Sequence, residues 1–272
     1  MKWGLMNNYQ LAQFSAAAYT KNSSKYENGE WKKLLTSDEV SASKSGFYGT
    51  AYINETSKEV VIANSGTNFN VFGLGWLSKF DFSVPIDFVK DLYSDTQLFF
   101  GYVPNQFTYG ADKFTDAVIK QLGNEAHDYT FTTTGHSLGA VLSNLENAKL
   151  TSLGYQVSSV NIDSPGSKPI LENYIQDNNL KLGCDNLDIT TFNAPKHLAN
   201  SVHDEVGNVY EFTMPYTNSS IFGSIMETIY NHQFRNIITK AFDKDSGDFI
   251  EYEMVNDELV YFVENNAGFE VA

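Results

Sequence analysis

The sequence predicts an α/β fold with a mostly parallel sheet and helices on both faces. Strand-like and helix-like segments alternate from residue 111 onwards, which is the order that crossover connections between parallel strands require. The chain has 272 residues, of which 42% are hydrophobic, and it contains 20 Phe and 16 Tyr. This length and aromatic content exclude a disordered chain and fit one packed domain, which we assign to residues 1–272.

The strands are predicted from short runs of β-branched, aromatic or alternating residues that lie between turn signals. These runs cover residues 47–54, 59–64, 129–134, 157–162, 187–192 and 209–213. The first two runs are separated by a polar turn and are predicted to pair with each other. Residues 21–33 are polar and are predicted to form turns. Residues 245–272 are predicted to form a C-terminal β extension, as a hairpin or a sheet edge.

The helices are predicted from apolar or small residues that recur on one helical face, as Phe114, Val118 and Leu122 do. They cover residues 11–19, 111–122, 139–153, 170–178 and 234–242. Between the second strand and the second helix, residues 68–104 are rich in Phe, Gly, Leu and Val without a clear period. We assign this segment to an insertion in the domain.

The charge and the cysteine content of the chain limit the kinds of molecule and the cell compartment that we expect for it. The formal net charge is −15, and an acidic balance of this size opposes binding to nucleic acid or to anionic lipid surfaces by charge alone. The single cysteine, Cys184, allows no intrachain disulfide. The first residues form neither a signal-peptide core nor a membrane span. We therefore expect the protein to be cytoplasmic or to be exported by a signal-independent secretion system.

A candidate nucleophile follows the strand at 129–134, in the sequence Gly135-His136-Ser137-Leu138-Gly139. A G-x-S-x-G motif between a strand and a helix is the nucleophile elbow of the α/β-hydrolase fold. The turn is sharp, so side chains two positions before and after the serine would collide with their neighbours, and glycine removes them. The motif predicts that Ser137 attacks an ester carbonyl, while His136 packs beside it.

A serine nucleophile needs a base within hydrogen-bond reach and an acid that orients the base. In the α/β-hydrolase fold the chain order is serine, acid, histidine. His232 precedes the last predicted helix and is the first choice for the base, with His203 as the alternative. Asp163 stands at the carboxyl end of the strand after the nucleophile helix and is the first choice for the acid, with Asp204 as the alternative.

The tetrahedral intermediate of acyl transfer needs N–H donors for its oxyanion. The residue after the nucleophile, Leu138, is predicted to give one backbone N–H. The second is predicted to come from Thr67, because Ser65-Gly66-Thr67 directly follows the strand at 59–64.

Taken together, these segments resemble the class 3 lipase family over roughly residues 10–240. The resemblance is carried by the Ala-rich helix that ends in Tyr19, by Ser65-Gly66-Thr67 where the family has Arg-Gly-Thr or Arg-Gly-Ser, by the elbow around Ser137, by Ser164-Pro165 after the next strand, and by the segment 203–212 with Val206-Gly207. The chain departs from the family where the acid usually stands, because Asn193-Ala194-Pro195 occupies that position. Other lipases of this fold carry the acid after the preceding strand, where Asp163 lies.

The resemblance implies a serine carboxylester hydrolase that acts on lipid acyl esters, as a lipase or a phospholipase of the A type. It implies no metal and no cofactor. It also implies that residues 68–104 form an apolar lid, through which the protein makes transient contact with a membrane surface. Lipid or ester is the expected partner, and nucleic acid is not.

Two other interpretations stay open at this stage. The chain could be a small-ester esterase or a thioesterase on the same scaffold, because this fold hosts many chemistries. It could also be a non-catalytic binding protein that keeps the elbow and has lost the acid. Members of the resembled family act as bacterial effectors. With the expected export route, the resemblance therefore adds the hypothesis of a bacterial effector that attacks membranes.

Overall fold

The computed structural model describes residues 6–19, 30–66, 101–194 and 200–211, the pairs 242–243 and 246–247, and the backbone of 251–255 and 258–262. Seven strands in these ranges form one sheet whose order follows the chain. They are β1 (Lys32–Thr36), β2 (Gly49–Asn54), β3 (Glu59–Asn64), β4 (Thr130–His136), β5 (Val157–Ile162), β6 (Ile189–Asn193) and β7 (Asn208–Glu211). The first three strands are antiparallel to one another, and β3 to β7 are all parallel.

Within the described ranges, four α-helices cover the sheet. They are α1 (Asn8–Ala17), α2 (Asp112–Leu122), α3 (Leu138–Ser152) and α4 (Lys168–Asp177). The side chain of Asn7 caps α1 by accepting the N–H of Gln10 at 2.9 Å, and the Gln10 side chain accepts the N–H of Asn7 in return. A π-helical turn, Phe107–Ala111, leads into α2.

The alternation of side chains along β3 shows how the two faces of the sheet are covered. Val60 and Ile62 pack in the larger core, which is shared with α2, α3 and α4. Val61 and Ala63 point the other way and pack against α1. The predicted α/β fold class, with a mostly parallel sheet and helices on both faces, is therefore confirmed.

The structure differs from the sequence prediction at β1, which lies partly in the segment predicted to form turns. Its pairing with β2 shifts register between Lys33 and Leu35, so the strand contains a bulge. The bulge breaks the alternation of apolar and polar residues by which a strand is recognised.

At the C-terminal end, β8 (Glu251–Val255) and β9 (Glu258–Phe262) form an antiparallel hairpin, one of the two forms expected for this region. The predicted helix at 234–242 lies outside the described residues except for Phe242. The lid segment lies outside them up to residue 100. No helix in the described ranges is both long and apolar enough to cross a membrane.

Candidate active site

Ser137 lies in the connection between β4 and α3, in a backbone conformation that non-glycine residues rarely adopt. Its φ is 58° and its ψ is −130°. The Ser137 N–H donates to the carbonyl oxygen of Ile162 at 3.2 Å, which ties the turn to the end of β5. Strained backbone of this kind persists only where the surrounding structure holds it, and it is concentrated at functional sites.

The glycines of the elbow are required by close backbone packing. A Cβ on Gly135 would lie 2.1 Å from the carbonyl oxygen of Gly139. A Cβ on Gly139 would lie 2.5 Å from the carbonyl oxygen of Asn64, at the end of β3. The atoms that would collide belong to the backbone, so the neighbours cannot move aside without displacing β3 or α3.

The turn that follows β3 lies directly against the nucleophile. A Cβ on Gly66 would lie 2.6 Å from the carbonyl oxygen of His136 and 3.1 Å from the Cβ of Ser137. The N–H of Gly66 donates to the Tyr19 hydroxyl at 2.9 Å, and that hydroxyl lies 2.9 Å from Nδ1 of His136. Tyr19 therefore links helix α1, the turn after β3 and the nucleophile elbow.

Burial raises the pKa of the Tyr19 hydroxyl well above its ordinary value, against the smaller lowering effect of the Gly66 N–H. The hydroxyl stays protonated at any physiological pH, so it can accept from Gly66 and donate to His136 at the same time. This pairing occupies the N–H of Gly66. The backbone N–H groups of Ser65 and Gly66 are thus both paired, and the next backbone donor of the turn is that of Thr67, which lies outside the described residues.

Leu138 is the first residue of α3 and is buried beside Ser137. The first N–H groups of an α-helix have no acceptor within the helix, and the helix dipole favours negative charge at this end. The position of Leu138 therefore suits the donor role predicted from the sequence.

Asp163 follows β5 and is fully buried, with a positive φ of 45°. One carboxylate oxygen, Oδ1, accepts the N–H of Ala194 at 3.1 Å and the side-chain N–H of Asn200 at 2.9 Å. A buried carboxylate needs such donors. Because Ser137 bonds to the residue before Asp163, the structure brings the nucleophile and this acid to the same edge of the sheet.

The alternative acid, Asp204, has a different setting. Its side chain is exposed, and its carbonyl oxygen accepts the N–H groups of Ser167 and Lys168 at 3.1 and 3.0 Å. The backbone of Asp204 thus satisfies two donors at the start of α4. The alternative base, His203, is half-buried and donates its N–H to the carbonyl oxygen of Pro165 at 2.9 Å.

Glu205 is a further carboxylate close to Asp163, beside the two candidate acids. The sequence did not predict its position. It hydrogen-bonds with the side chains of Ser164 and Asn193, and the Asn193 contact is 3.4 Å long. Burial raises the pKa of Glu205, and the negative charge of Asp163 adds to the increase. Glu205, His203 and Asp204 line a cavity of about 610 Å³ beside α4, and Ser137 is not among its described lining residues.

Two residues assigned from the sequence, His232 and Thr67, lie outside the described residues. Within the described ranges, no group of three or more His, Cys, Asp or Glu side chains is arranged to hold a metal ion.

Part of the sequence also matches a known protein family. Residues 61–167 match the family model of lipase, class 3. The predicted resemblance is confirmed over this segment, which contains the turn after β3, the elbow and Asp163.

An uncharacterized protein of Rickettsia prowazekii (strain Madrid E) is 32% identical to the chain over 138 residues. The aligned part covers 50% of this chain and 32% of that protein, so the chain spans about a third of the length of this relative.

Among solved structures, a triacylglycerol lipase from Penicillium expansum is similar in fold, with a TM-score of 0.50 and 14% identity, over 76% of this chain and 78% of that chain. The Lip2 lipase from Yarrowia lipolytica aligns with a TM-score of 0.43 and 12% identity, over 80% of this chain and 81% of that chain. At 14% identity, the likeness to the Penicillium expansum lipase concerns the fold alone.

Proposed function

We propose that the protein hydrolyses carboxylic esters of lipid acyl chains, as a lipase or a phospholipase of the A type, through an acyl-enzyme on Ser137. The observation that carries the proposal is the strained Ser137 elbow, which lies within a segment that matches class 3 lipases. Ser137, Asp163 and His232 are the proposed triad, and the N–H groups of Leu138 and Thr67 are the proposed oxyanion donors.

In the proposed reaction, His232 takes the proton of the Ser137 hydroxyl while the oxygen attacks the ester carbonyl carbon. The carbonyl oxygen becomes an oxyanion that the N–H groups of Leu138 and Thr67 stabilise. His232 then gives its proton to the departing alcohol, and the acyl group stays on Ser137. A water molecule, deprotonated by His232, attacks the acyl-enzyme and releases the fatty acid and the free serine.

The settings of the two candidate acids favour Asp163 over Asp204. Asp163 is fully buried, accepts two N–H groups and lies one residue after the carbonyl group that binds the Ser137 N–H. The side chain of Asp204 is exposed, where water weakens its electrostatic effect on an imidazolium.

The lid forms a separate part of the proposal. Residues 68–104 contain a high proportion of apolar residues, among them Phe72, Trp76 and Phe80. Apolar side chains of this kind suit contact with lipid. We place the transient contact with a membrane surface in this segment, and not in any charged patch, because the net charge is −15.

The test is hydrolysis of p-nitrophenyl esters of increasing chain length and of phosphatidylcholine vesicles. Wild type is compared with Ser137→Ala, Asp163→Asn and His232→Ala. Each variant is expected to lose activity by about a thousandfold or more, because triad members act as a unit. The matched controls are Asp204→Asn and His203→Ala, which should stay close to wild type.

The pattern of results separates the alternatives. Preference for long chains supports a lipase, and preference for short chains or thioesters moves the assignment to an esterase or a thioesterase. Loss of activity in Asp204→Asn but not in Asp163→Asn would move the acid. A folded wild-type protein that turns over no ester would contradict the proposal and favour a non-catalytic binding protein.

A further inference from the structure

A buried glutamate on the nucleophile helix has no part in the triad chemistry. Glu146 lies in the middle of α3 with no exposed surface. Its Oε2 accepts a side-chain N–H of Asn64 at 2.5 Å, and its Oε1 lies 2.9 Å from the Thr115 hydroxyl oxygen. A carboxyl group in such a place is costly unless its partners are well arranged.

The Thr115 hydroxyl that contacts Glu146 has two acceptors within hydrogen-bond distance. The Thr115 hydroxyl oxygen also lies 2.9 Å from the carbonyl oxygen of Ala111. A hydroxyl has one proton, so it can donate to only one of these two oxygens. Thr115 therefore donates to Oε1 of Glu146 in competition with the carbonyl oxygen of Ala111.

The charges around Glu146 are consistent with a neutral acid. Burial raises its pKa to about 8, and the hydrogen bonds from Asn64 and Thr115 and the charge of Lys149 offset only part of the increase. The ammonium group of Lys149 is itself bound by two carboxylates of α2, at 2.8 Å from Asp112 and 2.6 Å from Asp116. The charge of Asp112 raises the pKa of Glu146 further.

The partner of Glu146, Asn64, is the last residue of β3 and directly precedes the Ser65–Gly66 turn. The carbonyl oxygen of Asn64 also packs where a Cβ of Gly139 would stand. Gly139 and Glu146 are two helical turns apart and share one face of α3. Asn64 is thus held against the nucleophile helix at two points, by close packing at one and by Glu146 at the other.

The contact with Glu146 is specific because, among the described residues, the Asn64 side chain makes no other hydrogen bond. Among the described residues, Asn64 Oδ1 and the Ser65 hydroxyl are buried without a hydrogen-bond partner. The bond to Glu146 is the side-chain hydrogen bond that fixes Asn64 within the part of the chain that the structure describes.

We propose that Glu146 is a positioning residue, which fixes the oxyanion-side turn after β3 against the nucleophile helix through Asn64. It acts at a distance from the reacting atoms, by keeping the Ser65–Gly66 turn in place beside Ser137. The inference deepens the proposed function and rests on it for its kinetic consequence.

The first test compares Glu146→Leu, which removes the hydrogen bond, with Glu146→Gln, which keeps it. In Glu146→Gln the amide oxygen accepts from Asn64 and the amide nitrogen donates to Thr115. The matched control is Asn147→Leu, at the next position of α3, which removes bonds to Ser159 and to the Asp188 carbonyl instead. All are assayed for kcat and KM on a p-nitrophenyl ester.

Glu146→Leu is expected to lower kcat roughly tenfold or more with little change in KM, because a displaced oxyanion donor weakens transition-state binding alone. Glu146→Gln should retain most of the wild-type kcat. Asn147→Leu should lower the melting temperature as Glu146→Leu does and leave kcat near wild type. Equal kcat in Glu146→Leu and Asn147→Leu would overturn the proposal, and so would a loss in Glu146→Gln as large as that in Glu146→Leu.

A second readout separates this inference from the proposed activity. Amide hydrogen exchange of Gly66 reports the bond of its N–H to Tyr19, and therefore the placement of the turn. Faster exchange in Glu146→Leu than in Asn147→Leu supports the proposal even if wild type hydrolyses no ester, and equal exchange contradicts it. If Glu146→Leu does not fold, Asn64→Ala removes the same hydrogen bond from the other side and carries the same expectations.

Discussion

Replacing Glu146 with glutamine should change how the stability of the protein depends on pH. Burial raises the pKa of Glu146 from its ordinary value of 4.5 to about 8 in the folded protein. Between these two values the folded state holds a proton that the unfolded state has lost. The stabilisation is complete below pH 4.5, decreases as the pH rises through this window, and is lost above the folded pKa.

The size of the effect follows from the shift. At about 1.36 kcal/mol for each pKa unit, the change from 4.5 to about 8 corresponds to roughly 5 kcal/mol across the full window. Between pH 5.5 and 8, roughly 3 kcal/mol of this change should be seen. Glu146→Gln has no proton to lose, so wild type should lose stability relative to the variant over this range.

The assay is urea unfolding of wild type and Glu146→Gln at half-unit steps from pH 5.5 to 9. The measured quantity is the difference between their free energies of unfolding, in which groups common to both proteins cancel. Glu55→Gln is the matched control, because it makes the same chemical change at an exposed position, where Glu55 pairs with Lys32. A constant difference between wild type and Glu146→Gln would refute the assignment of a neutral, buried Glu146.

Two further substitutions test the contacts around the nucleophile. Gly139→Ala should destabilise the fold by roughly 3 kcal/mol or more and abolish activity, because its Cβ would collide with the carbonyl oxygen of Asn64. The stability is measured by chemical denaturation, with Gly183→Ala as the control, because a Cβ at Gly183 would meet nothing closer than 3.7 Å. Tyr19→Phe should cost roughly 1–3 kcal/mol and lower kcat, because it leaves the buried N–H of Gly66 without its acceptor; unchanged unfolding and kinetics would contradict the link.

Local motifs explain how much of the site could be predicted from the sequence. The elbow around Ser137 is recognisable because the turn has no room for side chains at two positions, and glycine occupies both within five consecutive residues. Asp163 could be chosen because the carboxyl ends of parallel strands meet at one edge of the sheet. The helices α2 and α3 were predicted to within one or two residues because their apolar residues are periodic or their boundaries are marked by the motif.

The contacts that were missed join residues distant in sequence. Glu146 meets Asn64 across 82 residues, and Tyr19 meets Gly66 across 47. Tyr19 was noted only as the end of an Ala-rich helix, and nothing in the sequence marks its hydroxyl as a partner of the turn. A glutamate on an α-helix is usually a surface residue, so the burial of Glu146 becomes visible only once α3 is packed between β3 and α2.

The central claim is that Ser137 is an activated nucleophile. The most direct measurement is reaction of the folded protein with a fluorophosphonate probe, followed by mass spectrometry of the digested product. We predict one adduct, on the peptide that contains Ser137, which is absent in Ser137→Ala and much slower to form in His232→Ala. A folded wild-type protein that takes up no probe, or takes it up equally well in Ser137→Ala, would contradict the claim.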